Sequence, residues 1–136
     1  MARRLAQRLG GERGDALIEG LLALALVLLA VAFTGEAIAY VHARNIAQAA
    51  AQDGASDAAS GGPAAGIARA EQILAAAGGT GRELRASAVS GAGEVTLRVD
   101  GAPPRLFALP LLLPTIHASA SVPLEQYPAD EQAATP

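Results

Sequence analysis

The chain has 136 residues, a formal net charge of −3, no cysteine and only 3% aromatic residues. That length allows one small domain beyond a membrane segment, and the missing thiols exclude disulfides, a thiolate nucleophile and a Cys-based metal site. The ten basic residues are all arginine and form no basic stripe with aromatic stacking partners, which argues against nucleic acid as a partner.

Arg3, Arg4, Arg8 and Arg13 stand against Glu12 and Asp15 ahead of a long apolar run. Residues 16–35, ALIEGLLALALVLLAVAFTG, carry one charge, Glu19. Twenty helical residues rise roughly 30 Å, the thickness of a hydrocarbon core, so the run is expected to span a membrane. From Glu36 onward six arginines face ten acids. This asymmetry predicts a cytoplasmic N-terminus and an extracytoplasmic C-terminal part, with Arg3, Arg4, Arg8 and Arg13 setting the topology. Arg3-Arg4 lacks the continuation of a twin-arginine signal. A cleavable secretory signal remains open, because Ala37-Ile38-Ala39 has the small-x-small pattern after an apolar core.

Residues 36–60 are rich in Ala and Gln and free of proline, so the membrane helix is expected to continue outward as an amphipathic stem. Its apolar stripe reads Ile38, Val41, Ile46 and Ala49, with Arg44, Gln48 and Gln52 on another face. Tyr40 reads equally as an interfacial anchor or a packing residue. Gly61-Gly62-Pro63 stops this helix. A second runs over about 64–77 with Ile67, Ala70, Leu74 and Ala77 on one face, and Gly78-Gly79 ends it.

Beyond Gly81 the period switches to two. Leu84, Ala86 and Ala88 alternate with polar residues over 83–89, as do Val95, Leu97 and Val99 over 94–100, with Ser90-Gly91-Ala92-Gly93 as the hairpin between them. A register that sets Glu83 against Arg98 avoids facing Arg85 with Arg98. A third strand covers 115–124, with Ile116, Ala118, Ala120, Val122 and Leu124 on one face. The predicted fold is α+β: a transmembrane helix and stem, a second helix, and a three-stranded antiparallel sheet whose apolar face the helices cover. Residues 106–113 are apolar, broken by Pro110 and too short to span; they read as a loop over the sheet edge or as a surface touching lipid or a neighbouring subunit. Residues 128–136 are polar and read as disordered.

The most informative stretch is Arg13-Gly14-Asp15-Ala16-Leu17-Ile18-Glu19, which leads straight into the apolar run. A carboxylate at the hydrocarbon boundary is costly and needs a partner. A cut after Gly14 would create an α-amine at Asp15, about one helical turn from Glu19, or from the Glu19 of a neighbour in a packed array. The plainer alternatives are that Glu19 snorkels to the interface and that Gly14 only starts a helix.

A glycine after basic residues, a glutamate five positions on and then an apolar helix resembles the type IV prepilin signal. The run, with Tyr40-Val41-His42-Ala43-Arg44-Asn45-Ile46-Ala47-Gln48-Ala49-Ala50 in the stem and short strands after it, is more specifically similar to TadE-like pseudopilins of the tight-adherence pilus system. The resemblance covers residues 12–60, and the remainder in outline. It implies a minor pilin-like structural or assembly component of such a pilus or secretion system, cut by a prepilin peptidase between Gly14 and Asp15, with Glu19 setting register. Its implied partners are the membrane, the peptidase, other pilin-like subunits and the assembly machinery. In that plan residues 1–14 are a cytoplasmic leader, 15–35 the transmembrane helix, 36–127 an extracytoplasmic pilin-like α+β domain and 128–136 a tail.

No catalytic set, metal site or cofactor site is expected. His42 and His117 have no carboxylate or second ligand at useful spacing, and Gly91-Ala92-Gly93 precedes a strand rather than a helix. Two alternatives stay open: a bitopic envelope protein that binds a partner without a pilus role, and a secreted protein cut near Ala39.

Overall fold

The computed structural model describes residues 2–81, 83–91, 93–107 and 113–124, with side chains from Gly14 onward. The side chains of Arg3, Arg4, Arg8 and Arg13, most of the apolar stretch at 106–113 and the polar tail at 128–136 lie outside the described residues. In chain order come α1 (Ala2–Gly61), α2 (Pro63–Ala76), a 3-10 turn (Gly78–Gly81), β1 (Leu84–Gly91), β2 (Glu94–Gly101) and β3 (Ile116–Pro123). The fold is α+β, and the chain divides into two compact units, Met1–Ala37 and Ile38–Pro136.

In the first unit the large apolar side chains of α1 project outward all round: Leu17 is 71% exposed, Leu21 69% and Leu28 61%. A helix apolar on every face is stable only where its surroundings are apolar. It is long and apolar enough to cross a membrane. Because α1 begins at Ala2, Gly14 lies well inside it, which overturns the reading of Gly14 as a helix-start residue.

In the second unit α1 ends where expected. Gly62 takes φ +82°, a conformation glycine adopts cheaply, and its N–H reaches the Ala58 carbonyl at 3.0 Å. Pro63 opens α2, where its missing N–H costs nothing. Helix α2 then runs back along α1, held by a contact in which Gly54 and Gly66 lie against one another's backbone carbonyls. Arg69 adds a surface ion pair to Asp53 at 3.4 Å. At the far end the Ala77 N–H bonds the Ile73 carbonyl, and the chain turns off at Gly78.

The buried face of the stem differs from the expected one. Ala43, Ala47, Ala50, Ala51, Ala55 and Ala58 are buried, whereas Ile38 is 64% exposed, Val41 53%, and Ala49 is exposed as well. Small residues let α1 approach α2 and the sheet closely, and only the alanine stripe continues through Gly54 to do so. Ile46 and Tyr40 pack against the edge of this core. On α2 the buried residues are Gly66, Ala70 and Leu74, with Ile67 at the margin.

The sheet has the order β1-β2-β3 and is antiparallel throughout. Alternation places Leu84, Val95, Leu97, Val99 and Ile116 in the core and the polar residues on the other face, as the period of two predicts. The register does not follow the expectation: Leu84 pairs with Gly101 and Arg85 with Asp100, so Arg98 faces Ser87 rather than Glu83. Both registers keep Arg85 from Arg98. The observed one leaves a two-residue turn between the paired Gly91 and Glu94, in which Gly93 takes φ +82°, and it sets an acid opposite Arg85.

Candidate functional site

The start of the apolar stretch of α1 carries two of the predicted site residues, Asp15 and Glu19, on one stripe. Asp15 and Glu19 are four apart and so project from the same side, and with Ile18, Leu22, Ala23 and Leu26 they line a shallow strip of helix surface. Both acids are exposed, and among the described residues neither has an ion-pair partner. Two like charges at this spacing destabilise an isolated helix by about 0.2–0.5 kcal/mol. Nothing local therefore accounts for the pair.

Gly14 is equally unexplained by packing. A Cβ built there meets nothing within 4 Å, unlike Gly54, Gly66, Gly81 and Gly101, where a methyl would collide with backbone or core atoms. Glycine inside a helix costs roughly 0.5–1 kcal/mol relative to alanine. Gly14 sits where the fold would be steadier with another residue.

A second cluster lies on the polar face of the sheet, and the expectation that His117 has no carboxylate neighbour is corrected there. The β2–β3 register places Asp100 opposite His117, and its Oδ1 lies 2.6 Å from Nδ1. On the other side of the ring, Nε2 is 2.7 Å from Thr115 Oγ1. With neutral imidazole, Nδ1–H donates to Asp100 and Nε2 accepts from the Thr115 hydroxyl, the hydrogen-bond order of a nucleophilic relay. Proximity in sequence gave no hint of this, because Asp100 and His117 are joined only by pairing across strands. Next to it Arg98 and Ser119 line an open dish, and Thr96 Oγ1 meets Ser121 Oγ at 2.7 Å.

The relay is solvated: the His117 side chain is 68% exposed and that of Asp100 50%. At that exposure water screens any charge on the pair. What the geometry does is tie the start of β3 to the end of β2. Asp100→Ala is accordingly expected to lower stability by less than about 1 kcal/mol, with faster amide exchange confined to the first residues of β3. A loss of several kcal/mol would refute the clip role. His42 lies exposed on the stem, away from any such cluster, and no group of three or more metal-ligating side chains occurs among the described residues. Compared with family models, with curated proteins and with solved structures, the chain matches none.

Proposed function

We propose that this chain is a membrane-anchored, pilin-like structural component, similar to TadE-like pseudopilins, that serves a tight-adherence-type pilus or secretion assembly. One observation carries the reading: Gly14 and Glu19 stand five residues apart where α1 enters its exposed apolar stretch, no packing contact explains the glycine, and no ion pair among the described residues holds the glutamate. Both are costly where they are, and both acquire a reason if a peptidase reads the glycine and a neighbouring subunit meets the glutamate. The basic residues before Gly14 orient the N-terminus to the cytoplasm. The outer α+β unit then stands outside the membrane and offers its polar sheet face for contacts. In this reading its role is structural.

The test is intact mass and terminal peptide mapping of the membrane-extracted chain from cells with and without their prepilin peptidase. A mature chain that begins at Asp15 only when the peptidase is present is the expected result. A chain that retains Arg3 to Gly14 in both strains would overturn processing and leave a bitopic binding protein. A chain beginning near Tyr40 would instead identify a secreted product.

A further inference from the structure

The two edges of the sheet differ. Strand β1 packs along α2, and the Arg85 guanidinium donates to the Leu84 carbonyl at 3.0 Å. Strand β3 has no such cover among the described residues: its ladder runs to β2, and the backbone bond just beyond it, from the Leu124 N–H to the Gly93 carbonyl at 2.7 Å, runs to the same side. That bond sets the phase of the ladder. Leu124 turns its polar backbone groups toward β2, so by alternation Val122, Ala120, Ala118 and Ile116 do the same, while His117, Ser119 and Ser121 turn theirs away. Three N–H donors and their carbonyls therefore line an open edge.

Native sheets guard such an edge with a charge, a proline, a bulge or an inward-pointing charged residue. Ile116–Pro123 has no Asp, Glu, Lys or Arg, its proline is the last residue, and its pairing with β2 runs unbroken over the whole strand. The apolar face also stops short here. Val95, Leu97 and Val99 of β2 are buried, but their β3 partners Val122, Ala120 and Ala118 are only half-buried, and two of the three are alanine. On the opposite face Ser87, Arg98 and Ser119 stand abreast across the three strands. Arg98 is exposed and has no ion-pair partner among the described residues, and the residue between it and the open edge is the small Ser119. A strand added at β3 would lie two strand spacings, about 10 Å, from β2, an interval that an arginine and a glutamate on one face bridge by reaching toward each other.

We infer that β3 is a docking edge for an extended segment of another polypeptide, which adds as a fourth strand with apolar side chains beside Ala118 and Ala120 and a carboxylate beside Ser119, within reach of Arg98. Its backbone takes up the free donors and carbonyls of His117, Ser119 and Ser121. The side chains set register, because a slip of one residue would turn the apolar pair to the polar face and the acid to the core. A second copy of β3 does not fit this description, since Ile116–Pro123 holds no acid for Arg98. The docking edge is independent of the anchor and of whether the N-terminus is cut.

The probe is a fluorescein-labelled nonapeptide, Ser-Val-Ser-Val-Glu-Val-Ser-Val-Ser, titrated into the full-length chain in detergent micelles. Amide exchange read by NMR is expected to find the His117, Ser119 and Ser121 amides unprotected in the free chain and slowed about tenfold or more by saturating peptide, with Ala118 and Ala120, already bonded to β2, unchanged. Arg98→Ala should weaken this peptide about threefold, read by anisotropy, and leave the peptide with Gln at its centre unaffected. Ser119→Pro should abolish binding while keeping the β2–β3 ladder, because the N–H it removes points away from β2. A peptide N-methylated at the residues that donate to β3 gives the same readout without any variant and should not bind. Protection of the three amides in the free chain would mean that the edge is already closed, by this chain or by a second copy, and would overturn the proposal. Binding that survives N-methylation, protection that arises at Ala86 and Ala88 of β1 instead, or no binding at all would overturn it equally.

Discussion

Replacing Gly54 by valine is expected to unfold the outer α+β unit while the apolar half of α1 stays helical. A Cβ at Gly54 lies 2.7 Å from the Gly66 carbonyl oxygen and 3.1 Å from the Ala70 Cβ, and it also collides with Leu97 Cδ2. The Leu97 side chain is fully buried, and the Gly66 oxygen belongs to the backbone of α2, so neither moves without parting α1 from α2 and the sheet. Overpacking a close-packed core costs typically 1–3 kcal/mol, and separating two helices that meet through glycine adds the uncovering of the alanine stripe. The core has few large residues to absorb this: its biggest fully buried side chains are Leu84, Leu97, Ile116, Val95 and Val99. A loss on the order of 3–5 kcal/mol is a large part of the 5–15 kcal/mol that stabilises a typical domain. Far-UV circular dichroism would fall but would leave the loss unlocated, because the apolar helix contributes regardless. Hydrogen exchange read peptide by peptide would locate it: β2 and α2 should lose protection together. Gly20→Val is the control, since a Cβ there meets nothing within 4 Å. Equal protection in wild type and Gly54→Val would mean that the helix crossing is not what holds the sheet down.

The same contact marks where sequence reading stops. Alternation over β1, β2 and β3 gave the correct buried face because a period of two is a local property of each strand. Helix stops at Gly61-Gly62-Pro63 and Gly78-Gly79 were legible because glycine and proline act on their own backbone. Register is not local, and avoiding an Arg85–Arg98 pair admits a shift in either direction; the choice lies with the turn at Gly93. The stem was misread for a related reason. Counting apolar residues at helical spacing favours Ile38, Val41, Ile46 and Ala49, of which only Ile46 packs on the core; a helix that must approach another closely turns its small residues inward, and Gly54 within an alanine-rich run is the available sign of it. The Asp100–His117 pair was invisible because the connection from β2 to β3 does not fix how the strands align. At the candidate site the balance reverses. Gly14 and Glu19 stood out in sequence because their types are wrong for an apolar helix, and their surroundings in the structure give them no compensating role.

Glu19→Leu is expected to leave insertion and the outer fold intact while reducing association with partner subunits about tenfold or more. The argument starts from cost. A carboxylate near the edge of the hydrocarbon is unfavourable by up to about 2.5–3.5 kcal/mol at the centre of a span and by less at its boundary, so removing it should if anything favour insertion. An inward-facing partner would change that sign, but among the described residues Glu19 has none, and the side chains sharing its strip are apolar apart from Asp15. In the proposed reading the partner is the amine at Asp15 freed by cleavage, on the same chain or on a neighbour. Charge pairing in so dry a place is strong enough to select one axial register over others. Glu19→Gln separates charge from shape: it keeps the hydrogen-bonding head but cannot pair with an ammonium, and it should fall with Glu19→Leu rather than with wild type. Glu19→Asp, shorter by one methylene, should retain part of the association. Co-purification from membranes, normalised to the amount of processed chain, distinguishes assembly from cleavage, since each variant keeps Gly14. Should Glu19→Leu co-purify with pilin-like subunits as wild type does, Glu19 is a snorkelling flank and the register role is lost, whatever the N-terminus proves to be.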